Sequence, residues 1–350
     1  MLQRKLYTIP VDYDSYPDTD AVCLTGVTQL KWIAQLVVSK VNYVLHIDGK
    51  YKLHHGKWMM LSIGVHDIAL GTKGIVHSYR PLVYMFVKQQ ETAQSVELLC
   101  AALDWIAETY YGSKLTPGVT VMDHSTGFRN GVLREWPDTG THAQESRIKH
   151  ESQRIIYISR CIADTSTRCG HTSNTDHSGS QRIIKISGRI AGISTCWPHL
   201  KRKVVKGEYL SSTDPFYQEL LDMMDGIHMA QTEDMMRVLI MKAGEVIHPK
   251  LATHPKLRTL WNEYFVEPWD CWCIGLHMDT PLNISNNQPI ESWHKSGVMR
   301  VVRKALKGST AAVLEHSFPK IVYRDSIIEY QDGTRSITHD APHTDNECYP

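Results

Sequence analysis

Three acidic residues, widely separated in a chain of 350 residues, each sit where a regular element starts or ends. Asp48 lies within Tyr43-Val-Leu-His-Ile-Asp-Gly-Lys-Tyr-Lys-Leu53, a strand pattern, and Asp123 closes Gly118-Val-Thr-Val-Met-Asp123. Glu291 opens Glu-Ser-Trp-His-Lys295 just after Pro289, a residue suited to the first turn of a helix. Three carboxylates from separate elements are what a pair of magnesium ions requires, since Mg2+ takes oxygen ligands from protein, phosphate and water. Two such ions about 3.5–4 Å apart activate an attacking oxygen and stabilise a leaving one at a phosphodiester. The pattern predicts metal-dependent cutting or joining of nucleic acid, with Asp48, Asp123 and Glu291 holding two Mg2+ (or Mn2+) ions. Each acid also has a plainer reading. A strand aspartate is often a turn or cap residue. A glutamate near a helix start gains about 0.3–1 kcal/mol from the macrodipole and can pair with Lys295 one turn on.

These acids must be carried by folded elements, and composition permits them. The chain is 42% hydrophobic and 21% charged, and its 38 Lys and Arg nearly cancel 37 Asp and Glu, so any nucleic-acid contact must come from local basic patches. Eight cysteines without a secreted spacing, and no signal-like leader, predict a soluble intracellular protein. No stretch approaches the roughly 18 apolar residues of a membrane span. No small-molecule cofactor is expected.

Residues 1–40 read as a helical lead-in. Three strand candidates follow (43–53, 58–65 and 80–88), then a helix over 91–111 with Val96, Leu99, Leu103, Ile106 and Tyr110 on one face. The strand ending at Asp123 and a helix over 126–136 complete an α/β layered domain spanning 41–144. Residues 145–195 break the pattern. Ser152 to Thr167 is echoed by Ser180 to Thr195 with eleven of sixteen positions identical, too close for chance but too few copies for a solenoid. This segment reads as a poorly ordered insertion. Segment 196–206 reads as the end of a core strand plus basic residues. Residues 207–282 read as all-helical, with helices at 215–224, 232–243 and 256–265. The helix carrying Glu291 occupies 283–310, ending near Leu306, and 311–350 is a C-terminal tail.

Three blocks of this sequence resemble the Mutator-like element (MULE) transposases, a branch of the DDE transposases with a ribonuclease-H-like core. They are His46-Ile-Asp-Gly-Lys-Tyr51 continuing into Leu61-Ser-Ile-Gly-Val65; Val121-Met-Asp-His-Ser125 with Cys196-Trp-Pro-His199 behind it; and Asn283-Ile-Ser-Asn-Asn-Gln-Pro-Ile-Glu-Ser292. Together they span roughly 40–310 in the family's order. The resemblance implies a ribonuclease-H-like mixed sheet flanked by helices and interrupted by an all-α insertion domain. It implies that the first and fourth core strands lie side by side, and that Asp48, Asp123 and Glu291 form the metal-binding triad. It further implies cleavage of element ends by water, joining of the freed 3′-hydroxyl to target DNA, a nuclear location, and a homodimer that synapses two ends. The zinc-type flanking domains of the family are not visible here. The insertion would split a fifth core strand running from Thr141-His-Ala-Gln144 into Cys196-Trp-Pro-His199.

Other residues invite chemistry too. Cys196 and His199 have zinc-like spacing, and Cys271, Cys273 and His277 would complete a site, but a buried cysteine beside a hydrogen-bonded histidine is the preferred reading. Two basic clusters, Lys201, Arg202 and Lys203, and Arg300, Arg303, Lys304 and Lys307, are candidates for DNA phosphate contacts, against the alternative of solvated helix faces. Trp261, Trp269, Trp272 and Trp293 read as packing anchors before they read as base-stacking platforms. Two further functional readings remain at this stage: a non-catalytic remnant that binds DNA or a partner, and a ribonuclease-H-type nuclease acting on RNA–DNA hybrids.

Overall fold

Strict alternation along the N-terminal strands gives each of them two faces to bury, and the chain covers both. The structure is a computed structural model describing residues 6–10, 12–16, 19–39, 43–50, 58–71, 74–88, 92–115, 117–137, 192–266, 271–274, 287–302, 309–326 and 335–336. Strands β1 (Leu6–Thr8), β2 (Ala21–Gly26), β3 (Val44–Lys50), β4 (Trp58–Gly71), β5 (Gly74–Lys88), β6 (Val119–Met122) and β7 (Gly192–Thr195) form one sheet in the order β1-β2-β5-β4-β3-β6-β7. The ladders from β1 to β3 are antiparallel, whereas β6 runs parallel to β3 and β7 parallel to β6. A short β8 (Arg335–Ser336) adds to β4. The fold is thus mixed α/β, a mostly antiparallel mixed sheet flanked by helices.

Because successive strand residues point to opposite faces, Leu45 and Ile47 of β3, Leu61 and Ile63 of β4, and Val83 and Met85 of β5 share one core. That core also takes in α1 (Val27–Ser39), α2 (Ala93–Tyr111) and α3 (Thr126–Glu135) through Ile33, Val96, Leu99, Leu103, Phe128 and Val132. Helix α2 starts at a capping box between Thr92 and Ser95 and stops where Gly112 takes the left-handed conformation at φ 69°. Of its predicted apolar face, Tyr110 turns out exposed, and Tyr111 instead reaches back, its hydroxyl donating to the Leu30 carbonyl at 2.7 Å.

The opposite sheet face, with Met60, Tyr84 and Phe86, packs on two helical runs. The first, α8, comprises Gln288–Ser292, a π-helical stretch Trp293–Val298, and Met299–Val302. The second, α9, comprises Thr310–Ala312, a π-helical stretch Val313–Ser317, and Phe318–Ser326. Buried Asp325 ties these layers together, accepting from the Tyr84 hydroxyl at 2.7 Å and from the Trp293 indole at 2.9 Å. Between β7 and α8, helices α4 (Trp197–Val205), α5 (Tyr217–His228), α6 (Glu233–Ile247) and α7 (Pro255–Tyr264) enclose a separate core around Trp197, Leu220, Met224, Leu260 and Trp272. Among the described residues no helix is long and apolar enough to cross a membrane.

Four expectations need correction. The lead-in is not simply helical: β1 and β2 extend the sheet beyond β5, because Val22, Cys23 and Leu24 pair with Phe86, Met85 and Tyr84. The inserted segment cannot run to 195, since Gly192–Thr195 forms β7; residues 138–191 lie outside the described residues, and with them Thr141–Gln144 and nearly all of the repeat. Cys196 and His199 do not continue a strand; Cys196 is the N-cap of α4 and Pro198 sits in its first turn, where proline is tolerated. Residues 311–326 are no tail, because Phe318, Ile321 and Val322 are core residues.

Candidate functional site

The alternation that buries Leu45 and Ile47 on one face turns His46 and Asp48 to the other, toward α8. The parallel ladder then fixes Asp123. Val44 pairs with Val119, Leu45 with Thr120 and His46 with Val121, so two residues beyond the last pair Asp48 and Asp123 emerge at the same end of adjacent strands. Strand β7 continues this parallel set, and Cys196 follows it with its N–H donating to the Met122 carbonyl at 3.0 Å. The turn into α4 places His199 over the acids. Its Nδ1 lies 2.7 Å from Asp123 Oδ1 and its Nε2 lies 3.1 Å from Glu291 Oε1. One imidazole therefore spans two of the three acids.

Glu291 arrives from the first turn of α8, its N–H donating to the Asn287 carbonyl at 3.0 Å. Its other oxygen lies 3.5 Å from the Arg202 guanidinium, one turn beyond His199 on α4. The third acid is tied to the same helix. Asp48 Oδ2 lies 3.2 Å from Nδ1 of His294, three residues after Glu291, while Asp48 Oδ1 accepts from the Gly49 N–H at 2.8 Å. The structure thus joins Asp123 to Glu291 through His199 and ties Asp48 to the helix of Glu291 through His294. Their side chains are 13%, 33% and 31% exposed, open enough for water or a phosphate to reach them.

Behind the acids lies a buried polar layer that sequence reasoning did not single out. Asn287 is fully buried; its amide nitrogen lies 3.4 Å from both Asp123 Oδ1 and the Ile47 carbonyl, and its Oδ1 is 3.1 Å from His46 Nδ1. An amide nitrogen that donates to a carboxylate leaves its oxygen to accept, so His46 carries its proton on Nδ1. Burial pushes His46 down to about 3, so the ring is neutral, and it stacks on His66 at 3.3 Å between centroids. Asn287 occupies the N-cap position of α8 yet spends its side chain on the strands instead of the helix end. One signal in the sequence could have found His294: residues three apart share a helix face, and it follows Glu291 by three.

Charge balance follows from these contacts. The Asp123 carboxylate, then Cys196 and Glu291, raise the His199 imidazole to about 12, and it stands as an imidazolium. Conversely His199, with Arg202 adding to it, holds the Glu291 carboxyl below its usual range despite partial burial.

No family model and no curated protein matches this chain.

Asp123, Cys196 and His199 have ligand atoms all within 4.8 Å of one another, a group able to hold a metal ion once His199 gives up its extra proton. The other cysteines proposed for a zinc site do not join this group. Cys273 is buried with its sulfur 3.8 Å from the Ala230 carbonyl, and Cys271 has its sulfur 3.6 Å from the Thr195 hydroxyl; His277 lies outside the described residues. Cys196 Sγ accepts from the Asn287 N–H at 3.2 Å, a contact that locks the N-terminus of α8 onto that of α4.

The first basic cluster has protein partners while staying partly exposed, with the Lys201 and Arg202 side chains 40% and 41% open. Lys201 binds both Asp225 oxygens at 2.7 and 2.9 Å, Lys203 donates to the Tyr264 hydroxyl at 2.9 Å, and Arg202 faces Glu291. Of the second cluster Arg300 is exposed, while Arg303, Lys304 and Lys307 lie outside the described residues. Trp272 and Trp293 are core residues and offer no stacking platform, Trp261 stacks on Phe265, and Trp269 lies outside the described residues.

Proposed function

We propose that this chain is a transposase-type polynucleotidyl transferase that cuts and joins DNA strands with divalent metal at Asp48, Asp123 and Glu291. The observation that carries the reading is that Asp48 and Asp123 leave level positions on adjacent parallel strands, while Glu291, from a helix that follows a separate helical unit, reaches Asp123 across His199. The order β5-β4-β3-β6-β7, antiparallel across its first three strands and parallel across its last two, supports the finer reading of a ribonuclease-H-like core. Residues 197–264, wholly helical elements between β7 and α8, fit the all-α insertion expected of the MULE branch.

The donor set suits magnesium. Three partly exposed carboxylates are hard oxygen ligands, and the imidazolium of His199 already marks where positive charge is favoured among them. When bound, two such ions supply activation of an attacking oxygen and stabilisation of a leaving one at phosphorus. The chain's own residues do the rest. His294 and the Gly49 N–H fix the Asp48 carboxylate, Asn287 fixes Asp123 against β3, and Arg202 holds the outer oxygen of Glu291. Both strand cleavage and strand transfer are in-line displacements at phosphorus, so one constellation serves both. DNA ends and target DNA are the substrates, and a nuclear location goes with the reading.

The test is a strand-transfer assay with labelled DNA ends and Mg2+ or Mn2+. The expected result is metal-dependent cleavage and joining that falls to background in Asp48→Ala, Asp123→Ala and Glu291→Ala. Binding without cleavage in the wild type, or cleavage confined to RNA–DNA hybrids, would contradict it.

A further inference from the structure

Helix α6 buries Met236, Ala243, Gly244 and Ile247 in the helical unit and leaves its outer face apolar. Met235, Val238 and Met241 are 48%, 48% and 56% exposed. At helical spacing these three form one stripe, three residues apart on either side of Val238. The charges beside them follow the same centre. Asp234 precedes Val238 by four residues and Lys242 follows it by four, both are exposed, and among the described residues neither makes an ion pair.

A stripe with this symmetry is its own complement when run antiparallel against a copy. A two-fold axis through Val238 sets Val238 on Val238, each Met235 on a Met241, and each Asp234 opposite a Lys242, two ion pairs from a single contact. A parallel arrangement would stack like on like, aspartate near aspartate. Self-complementarity of one patch is what an isologous two-fold interface demands. Methionine is suited to such a surface because its flexible thioether adapts to its partner.

We propose that the outer face of α6 is a homodimerisation surface, docking antiparallel on the same helix of a second copy about Val238. The contact, from Asp234 to Lys242, spans about 12 Å of helix at 1.5 Å per residue. It therefore falls at the small end of specific interfaces, and association is weak and concentration-dependent. The inference does not depend on the catalytic reading, since α6 contributes no residue to the acid cluster.

Sedimentation equilibrium of the full chain over a range of concentrations tests it, with circular dichroism to check folding. A monomer–dimer equilibrium is expected in the wild type. Val238→Glu should weaken it at least about tenfold, because two carboxylates would meet across the axis. Asp234→Lys and Lys242→Asp should each weaken it several-fold, and the double swap should restore it to within about twofold of wild type. A wild type that stays monomeric throughout overturns the proposal. So does a dimer indifferent to Val238→Glu, or a double swap whose losses simply add.

Discussion

His294 shows most clearly what a single residue does at this site. It is 2% exposed, its Nδ1 faces Asp48, and it rides on the helix that delivers Glu291. It therefore couples the positions of two acids without occupying either role. Groups that orient a metal ligand typically carry 10- to 100-fold in affinity or activity. His294→Ala should weaken Mn2+ binding by about that range, measured by titration, while Glu291 remains in place. An unchanged affinity would reduce His294 to a packing residue. Asp325 makes a different residue-scale point. Burial raises its carboxyl to about 6 even though Trp293 and Tyr84 donate to it. The folded state then holds its proton more tightly than the unfolded one, so this group's contribution falls as pH rises from about 4 to about 6. At 1.36 kcal/mol per unit that amounts to roughly 3 kcal/mol. Denaturant unfolding at pH 4.5 and 7 should show Asp325→Asn losing this fall relative to wild type. Parallel pH profiles for the two proteins would refute the assignment. Asp48, Asp123 and Glu291 were readable from sequence because each stands at the boundary of an element with a strong period. Asn287 was not, because its contacts to Ile47 and Asp123 join residues distant in the chain and its N-cap position suggests a local role.

Among elements, close approach decides more than propensity. Helices α2 and α3 meet at Gly131, where an added Cβ would fall 2.5 Å from Val96 Cβ and 2.6 Å from the Ala93 carbonyl oxygen. Neither neighbour can yield without moving backbone. Gly131→Ala should destabilise the protein by about 1–3 kcal/mol, read from the denaturant midpoint. A midpoint equal to wild type would show that the helix pair is looser than its geometry. The strands at 43–53, 58–65 and 80–88 were legible in outline because alternation and β-branched content agreed. What escaped was β1, β2 and β7. Each is short, and each is held by its neighbour's ladder more than by its own sequence. Gly192-Ile-Ser-Thr195 lies at the end of the second repeat copy, so its composition pointed away from the core. Its pairing with Val119 to Met122 is tertiary in origin. The π-helical stretches of α8 and α9 leave no period in the sequence at all. Such stretches often occur where function shapes a helix, and the one in α8 holds His294.

For the molecule as a whole, the site depends on three cores meeting: the sheet with α1–α3, the sheet with α8 and α9, and the helical unit of α4–α7. The chain between Pro137 and Gly192 can be tested against that dependence. Removing 145–191 should leave soluble, folded protein, whereas extending the deletion through Thr195 should abolish it, because β7 completes the parallel edge and delivers Cys196 and His199. Soluble yield and thermal unfolding of the two deletions decide the point, and equal behaviour would contradict it. The layered α/β plan and the helical middle were visible in the sequence because period and turn residues mark them. The acids themselves were singled out by their residue types and places, but that the strands of Asp48 and Asp123 lie side by side was expected only by resemblance, since no local pattern reports which strands become neighbours. The proposed function requires that Asp48, Asp123 and Glu291 jointly hold divalent metal. Counting Mn2+ bound at saturation by electron paramagnetic resonance tests it most directly, in wild type and in each single alanine variant. Two ions are expected in the wild type, with loss of occupancy in all three variants while folding stays intact. Full Mn2+ binding in Asp48→Ala or Glu291→Ala would contradict it.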